Sequence, residues 1–378
     1  MINKELETYV EKEIIPRYRH FDSAHSEEHV RTVIKNALEL AKRYDVDENM
    51  IYTAAAYHDT GVVEGREFHH IVSGRIIRED KELLRWFTPE QIETIAQAAE
   101  DHRASSSSKP RGIYGLIIAE ADRDINPVKI IRRTVQFGFN KYPQLDREGQ
   151  WQRTVEHLME KYAEGGYLKL WIPESNNAAK LAELREIIKD TEKLRDLFDR
   201  EYQRLRVLSF LEKNGISYEI YEHPPLFTIE EALEYWGQIP ECTHCKNLFM
   251  RNHKGNRHYL ISFECHKQMD IHGLEHVLHQ GKLSFASPER MMRCLGLKPG
   301  SVSPFGLIDD IDLSGADPKE LFENGHRVKF YLDSELMKSE RISFHPCDNT
   351  ASVVVSRADF MRFLELWGGE WELLDFTS

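Results

Sequence analysis

Two sets of residues in this sequence carry chemistry. The first runs from His29 through the adjacent pair His58-Asp59, then His69-His70 and His102, to Asp122 and Asp124. Imidazole and carboxylate together suit Mn, Fe, Co, Ni or Zn, and Mg where carboxylates dominate. A His-Asp pair alone says nothing. Four such segments, each at the end or inner face of an apolar helix, point to one divalent-metal centre. Adjacent residues on a helix do not face each other, so an ion must lie in the gap between His58 and Asp59. The second set lies beyond residue 240: Lys246 in "CKNLFMRN", Gly300, Ser301, Ser303 and Pro304 in "GLKPGSVSPFG", and His345 in "FHPCDNTAS". There is no Ser/His/Asp frame and no phosphate-cradling glycine loop among them. Pro-Gly followed by Ser-Val-Ser-Pro is a rigid turn that presents backbone N–H and C=O groups in fixed directions. Lysine is a compact cation able to hold a phosphate or a polarised carbonyl. Just ahead of it, Cys242-Thr-His-Cys245 is spaced like half a zinc knuckle. A knuckle needs two more ligands, and Cys265-His266 brings no second pair at that spacing. The cysteines are therefore expected to be small buried residues beside a strand, with the metal in the other half of the chain.

The elements that must position these residues change character along the chain. Up to about residue 200 the pattern is helical. "SEEHVRTVIKNALELAKRYD" places Val30, Val33, Ile34, Ala37, Leu38 and Ala41 on one face, with Ser26 placed to cap it. "NMIYTAAAYHDTG" is an apolar helix stopped by Gly61, and "TPEQIETIAQAAEDHR" opens on a Thr-Pro cap. "YGLIIAEADRDIN" is a buried helix ending in charge. Residues 177–215 are expected to run as one long helix, with a Lys/Glu-rich middle marking the domain boundary. After Gly215, "ISYEIYEHP", "RHYLISFE", "HRVKFYLD", "ERISFHP" and "TASVVVSRADF" read as strands, with helices at "SPERMMRCLGL" and "SRADFMRFLELWG". The expected organisation is multidomain: an all-α domain over 1–200 and an α+β domain with a mixed β-sheet over 201–378.

The composition fits two soluble globular domains in 378 residues, 41% hydrophobic and 30% charged. No apolar run reaches the ~20 residues that span a bilayer. The charged N-terminal segment lacks the apolar centre of a signal peptide. Five cysteines, all beyond residue 240, make no disulfide framework. A cytoplasmic location is expected, with no membrane contact. The net charge of −13 is shared between the halves: 31 Lys+Arg against 36 Asp+Glu in residues 1–200, and 19 against 27 in residues 201–378. This excludes a general nucleic-acid binder with a basic face and leaves room for a local contact to the end of an RNA.

"HVRTV", "AAAYHDTG" and "AEADRD" resemble the HD-domain metal-dependent phosphohydrolases over roughly residues 15–140. The resemblance implies a divalent ion on His29, His58, Asp59 and Asp122. His70 and His102 match the extra histidines that hold a second metal or a phosphate, with His69, Glu64 and Asp124 competing for those roles. Arg66, Lys109 or Arg111 would bind the phosphate of a small phosphorylated substrate, attacked by metal-activated water. A few members of that family run oxygen-dependent iron chemistry instead. "YEIYEHPPLFTIEEA", "CKNLFMRN", "CLGLKPGSVSPFGL" and "ISFHPCDNTASVVV" resemble the YbaK/ProX-type aminoacyl-tRNA editing domains over about 203–376. "KNLF" points to the freestanding prolyl-tRNA-synthetase-associated branch, which removes alanine from the proline tRNA; the cysteine-removing branch is its nearest competitor. The resemblance implies that Lys246 is the essential lysine and that Asn247 and His345 shape a small pocket. The backbone from Gly300 to Pro304 would hold the aminoacyl group, and Thr228, Phe227, Ser301 and Ser303 would contact substrate. It also implies the tRNA-Pro acceptor end as partner, prolyl-tRNA synthetase as a further one, and no cofactor in this half. Arg251, Lys254, Arg257 and Lys298 offer a local basic patch. In the alternative reading, the HD half is the main enzyme and the second half only binds tRNA or deacylates Cys-tRNA(Pro).

Overall fold

The computed structural model describes residues 2–21, 25–103, 108–226, 228–279, 281–313 and 316–375. The chain separates into two compact units, Met1–Arg195 and Asp196–Ser378. The division falls inside a helix, a few residues ahead of position 200.

Apolar residues at helical spacing build the first unit, which has no strand among the described residues. Its helices are α1 (Lys4–Tyr9), α2 (Glu27–Ala41), α3 (Glu48–Tyr57), α4 (His69–Glu79), α5 (Pro89–Glu100), α6 (Ile113–Ala121), α7 (Pro127–Lys141), α8 (Arg147–Tyr162) and α9 (Asn176–Lys189), with α10 (Thr191–Lys213) crossing the boundary. The capping signals act locally. The Ser26 hydroxyl accepts from His29 N, and Thr88 forms a reciprocal capping box with Gln91. α3 is buried on every side from Met50 to Tyr57, so it is the central helix of the core. Val30, Val33 and Ala37 of α2, Ile95 and Ala98 of α5, and Ile117 and Ile118 of α6 belong to the same cluster as α3. Its alanines let the neighbours approach closely, and this draws the ends of α2, α3, α5 and α6 together.

The single long helix expected over 177–215 is broken in two. Asp190 takes an extended conformation (φ −88°, ψ 93°) and its carboxylate accepts the N–H of Lys193. An aspartate that caps a new helix outcompetes continuation of the old one.

The second unit carries the expected mixed sheet. Its strands are β1 (Tyr218–Glu222), β2 (Thr243–Arg251), β3 (His258–Glu264), β4 (Ser284–Phe285), β5 (Val328–Asp333), β6 (Arg341–Phe344), β7 (Ala351–Ser356) and β8 (Trp371–Leu374). They order as β1-β7-β6-β2-β3-β5-β8, with β4 beside the end of β2. The β2–β6, β3–β5 and β5–β8 pairs are parallel and the others antiparallel. Helices α11 (Ile229–Trp236), α12 (Ile271–Leu278), α13 (Pro288–Leu295) and α14 (Arg357–Trp367) pack around it. β3 explains the continuous apolar reading of its sequence, since it is buried from His258 to Phe263. Leu260 faces a core with Phe249, Phe330 and Phe360, while Tyr259, Ile261 and Phe263 face another with Met250, Leu274 and Tyr331.

The turn after α13 is fastened to the end of β6 by one hydroxyl. Ser303 is fully buried; its Oγ donates to His345 O (2.6 Å) and accepts from Phe305 N (3.3 Å). Removing a buried hydroxyl that serves two backbone groups costs about 1–3 kcal/mol. Ser303→Ala is expected to lower the urea unfolding midpoint accordingly, and an unchanged midpoint would show that the turn is held by other contacts.

Candidate functional site

Helix ends deliver the first set of residues to one point. His29 lies in the first turn of α2, His58 caps the C-terminus of α3 with Asp59 next to it, His69 opens α4, His102 follows α5, and Asp122 caps α6. Six side chains meet in two groups that could each hold an ion: His29, His58 and Asp122, and then Asp59, His69 and His102. Asp59 serves both. Its Oδ2 lies 3.1 Å from His58 Nε2 and 3.5 Å from His29 Nε2, and its Oδ1 lies 3.3 Å from the Nε2 atoms of both His69 and His102. On the far side of the first group, Asp122 Oδ1 is 3.2 Å from His29 Nε2 and 3.6 Å from His58 Nε2.

The protons are arranged for metal binding. His58 Nδ1 donates to Ala55 O (2.8 Å), His69 Nδ1 to Arg66 O (2.7 Å), and His102 Nδ1 to Ala99 O. A carbonyl oxygen only accepts, so Nδ1 carries the proton and Nε2 keeps a lone pair. The Nε2 atoms face each other in pairs: His58 and His29 Nε2 are 3.4 Å apart, and His69 and His102 Nε2 are 3.1 Å apart. Two imidazole lone pairs at that separation repel unless a cation or a proton stands between them. Asp59 Oδ1, buried, makes no hydrogen bond among the described residues. Burial opposes a charge on His29, yet Asp122 and Asp59 beside it raise its pKa to about 9. Asp59 and Asp122 are both held well below the usual carboxylate range despite burial, by the imidazoles around them. The two carboxylates therefore demand positive charge, which a divalent cation supplies. The donor set fits such an ion.

The structure places His69, not His70, in this cluster. Neighbours on a helix point about 100° apart, and the first turn of α4 offers the site only one of them. His70 lies outside the two groups, and its pKa is lowered to about 4 by burial, then by His102 and Arg103. The other competitors are engaged elsewhere: Glu64 pairs with Arg75, and Asp124 with Lys129 at 3.4 Å. Arg66 is exposed and contributes its carbonyl to His69. Arg111 is engaged by Asp101 and Glu100, while Lys109 is exposed.

The second set surrounds a pocket of about 320 Å³, whose lining includes Thr228, Trp236, Lys246, Asn247, Gly300, Val302 and His345. Lys246, in the middle of β2, sends Nζ to Lys267 O (3.2 Å) and 6.0 Å from the Phe263 ring centre. Its ammonium meets a carbonyl rather than a carboxylate, so its charge is not neutralised there. Asn247 Oδ1 accepts from Ser262 Oγ (2.5 Å), which fixes the amide plane. His345 Nδ1 donates to Ala351 O (3.0 Å), leaving Nε2 as an acceptor at the pocket; burial, and then His223 nearby, lower its pKa and keep it neutral. Gly300 has φ +88°, with nothing within 4 Å of where a Cβ would stand. The requirement there is backbone conformation, not space.

Several expected contacts have other duties. The Ser303 hydroxyl is spent on His345 O, so it positions the turn. Thr228 caps α11, accepting from Glu231 N (3.2 Å). Ser301 closes the turn through its N–H to Lys298 O (3.3 Å). Phe227 lies outside the described residues. Lys298 pairs with Asp196 and Asp199, whereas Arg251 and Arg257 bond to backbone carbonyls. In the C-x2-C stretch, Cys245 Sγ donates to Ser343 O (3.4 Å), and His244 lies flat on Trp236, the centroids 4.4 Å apart and the planes at 5°. Cys242 and Cys245 belong to no ligand group among the described residues. The apolar wall that α11 gives the pocket, with Ala232 and Trp236, was missed from sequence, although Thr228-x-x-Glu231 is a capping-box signal.

The chain matches two families. Residues 27–126 match the HD domain, and residues 223–363 match the aminoacyl-tRNA editing domain. The prolyl-tRNA editing protein ProX of Acetoanaerobium sticklandii is 32% identical over 170 residues, which is 45% of this chain and 94% of that protein. Prolyl-tRNA synthetase associated domain-containing protein 1 is 31% identical over 167 residues in Mus musculus (43% of this chain, 89% of that protein) and 30% over 181 residues in Bos taurus (47% and 93%). The chain belongs to the ProX-like family of aminoacyl-tRNA editing proteins and carries an HD domain ahead of its editing domain. It is a hydrolase. No helix among the described residues is long and apolar enough to cross a membrane.

Two outcomes follow from the geometry. His69→Ala is expected to lower the divalent metal bound per chain after dialysis, measured by elemental analysis, while His70→Ala leaves it unchanged; the reverse pattern would return His70 to the site. Stability should also depend on pH. Burial pushes His244 and His258 down to about 4, and lowers His345, from the ordinary 6.5. Their neutral forms stabilise the fold above pH 6.5, and that contribution is lost as pH falls from 6.5 toward 4. Urea midpoints for the second unit are expected to drop across this window, and a flat profile would refute the assignment.

Proposed function

We propose that the second unit hydrolyses the ester joining a mismatched alanine to the 3′ end of proline tRNA. The observation that carries this reading is the meeting of Lys246, Asn247, Gly300 and His345 around one small pocket. The Lys246 ammonium is placed to stabilise the negative charge that develops on the ester carbonyl oxygen. The backbone from Gly300 to Pro304 and His345 Nε2 accept from the amino group. Water adds to the acyl carbon, the C–O bond to the ribose breaks, and the ribose oxygen takes up a proton. No strong protein base lines the pocket among the described residues, so the neighbouring ribose hydroxyl of the substrate orients the water. Trp236, Ala232 and Val302 limit the space beside the amino group. A pocket that admits alanine and excludes the larger proline corrects a synthetase that cannot reject the smaller side chain by binding alone. Prolyl-tRNA synthetase, in the cytoplasm, is the source of such a substrate.

For the first unit, the reading is a phosphohydrolase acting on a small phosphorylated substrate. A divalent ion on His29, His58, Asp59 and Asp122, with His69 and His102 on the other oxygen of Asp59, would polarise a phosphoryl oxygen and acidify water. The residues' own work is to hold six side chains in place, through backbone carbonyls at three of the histidines.

Purified protein is expected to deacylate Ala-tRNA(Pro) and spare Pro-tRNA(Pro), and Lys246→Ala to lose about 10²–10³-fold in rate. Cleavage of Cys-tRNA(Pro) in preference would reassign the amino acid, and cleavage of neither would overturn the proposal. In a screen of nucleotides and phosphate esters with added Mn²⁺, His58→Ala should abolish any turnover found while leaving deacylation intact.

A further inference from the structure

The turn after β3 gathers three kinds of metal donor outside both sites. Cys265 Sγ lies 3.2 Å from Glu264 Oε1 and 3.3 Å from His266 Nδ1, and the latter two are 2.6 Å apart. Cys265 is 2% exposed and packs in the cluster with Trp236 and Ile239, while the His266 side chain is 67% exposed. The backbone that carries them is pinned. Cys265 N donates to His244 O (3.1 Å), Glu264 N to Asp333 Oδ2 (3.0 Å), Lys267 N to Glu264 O (3.1 Å) and Lys267 Nζ to Asp333 Oδ1 (2.9 Å). The three donors are thus presented together before any ligand arrives. A further observation points to a ligand. A cavity of about 600 Å³ lies beside the turn, with Glu264, His266 and Lys267 in its lining.

We propose that Glu264, Cys265 and His266 bind one thiophilic divalent ion of the Zn²⁺ class. Thiolate, imidazole and carboxylate are the ligands zinc takes, and three protein ligands beside a cavity leave a fourth position open. The sulfur disfavours Mg²⁺ and Ca²⁺. Binding expels the thiol proton to solvent. The site is chemically distinct from the His/Asp cluster of the first unit, which has no sulfur. Its position ties it to the pocket: the next residue, Lys267, supplies the carbonyl that accepts from Lys246 Nζ, so an ion here stiffens the turn that holds the lysine.

The test is a titration of the full chain with Co²⁺ alone. The expected result is a near-ultraviolet thiolate-to-cobalt charge-transfer band that saturates with one ion per chain at this site and is bleached by Zn²⁺. Cys265→Ser should abolish it. His266→Ala, a change at an exposed side chain that leaves the core intact, should weaken it. His58→Ala should keep it, which separates it from the other cluster. Absence of the band in the unmodified chain overturns the proposal. So does a band that survives Cys265→Ser and disappears with Cys242→Ser.

Discussion

A helix that stops leaves its last carbonyls without partners, and in this protein imidazole rings take them. His58 bonds to Ala55 O at the end of α3, and His102 to Ala99 O at the end of α5. His69 does the same with Arg66 O at the start of α4. The first two bonds satisfy orphan acceptors, and all three fix the tautomer and turn Nε2 toward the site. Three rings are oriented by backbone groups that cannot rotate, and all three point at the one carboxylate of Asp59. The cluster depends on where the helices end. Moving the end of α3 by one residue would swing His58 by about 100° and remove it from the centre.

The second unit solves the same problem with a strand, a turn and a strand end. β2 carries Lys246 and Asn247, the 300–304 turn carries the left-handed glycine, and the end of β6 carries His345. Ser303 bonds the turn to His345 O, and Ala351 O holds the ring. Again an Nδ1–carbonyl bond leaves Nε2 free for chemistry. The Lys246 ammonium is held by a carbonyl, in a half of the chain that is net negative. A carboxylate partner would cancel the charge; a carbonyl orients it and leaves its field directed at a ligand.

The two units therefore differ in chemistry while sharing one device. In the first, imidazoles whose Nε2 atoms face two depressed carboxylates make a site that calls for a cation. In the second, an ammonium held by a carbonyl and a neutral histidine face one small pocket. The Glu264-Cys265-His266 turn stands apart from both, since its thiol is the one soft donor among the clusters.

Local order along the chain is what the sequence by itself determined. Apolar periodicity, caps and β-branched runs marked an all-helical half and a mixed-sheet half, and the order His29, His58-Asp59, Asp122 and the motifs around Lys246, Gly300 and His345 were readable because each is short and contiguous. Selection among neighbours was left to the tertiary structure. His69 and His70 are equivalent in sequence, and only the roll of α4 against α3 and α5 decides which ring faces Asp59. Asp190 reads as one more helical residue until its carboxylate caps the next helix. Ser303 reads as a substrate contact until its hydroxyl is found bonded to a strand distant in sequence. The cysteine pair at 242 and 245 suggested half a metal site, yet the donors that converge are Glu264, Cys265 and His266, because strand pairing and a tight turn, rather than spacing, set which side chains meet.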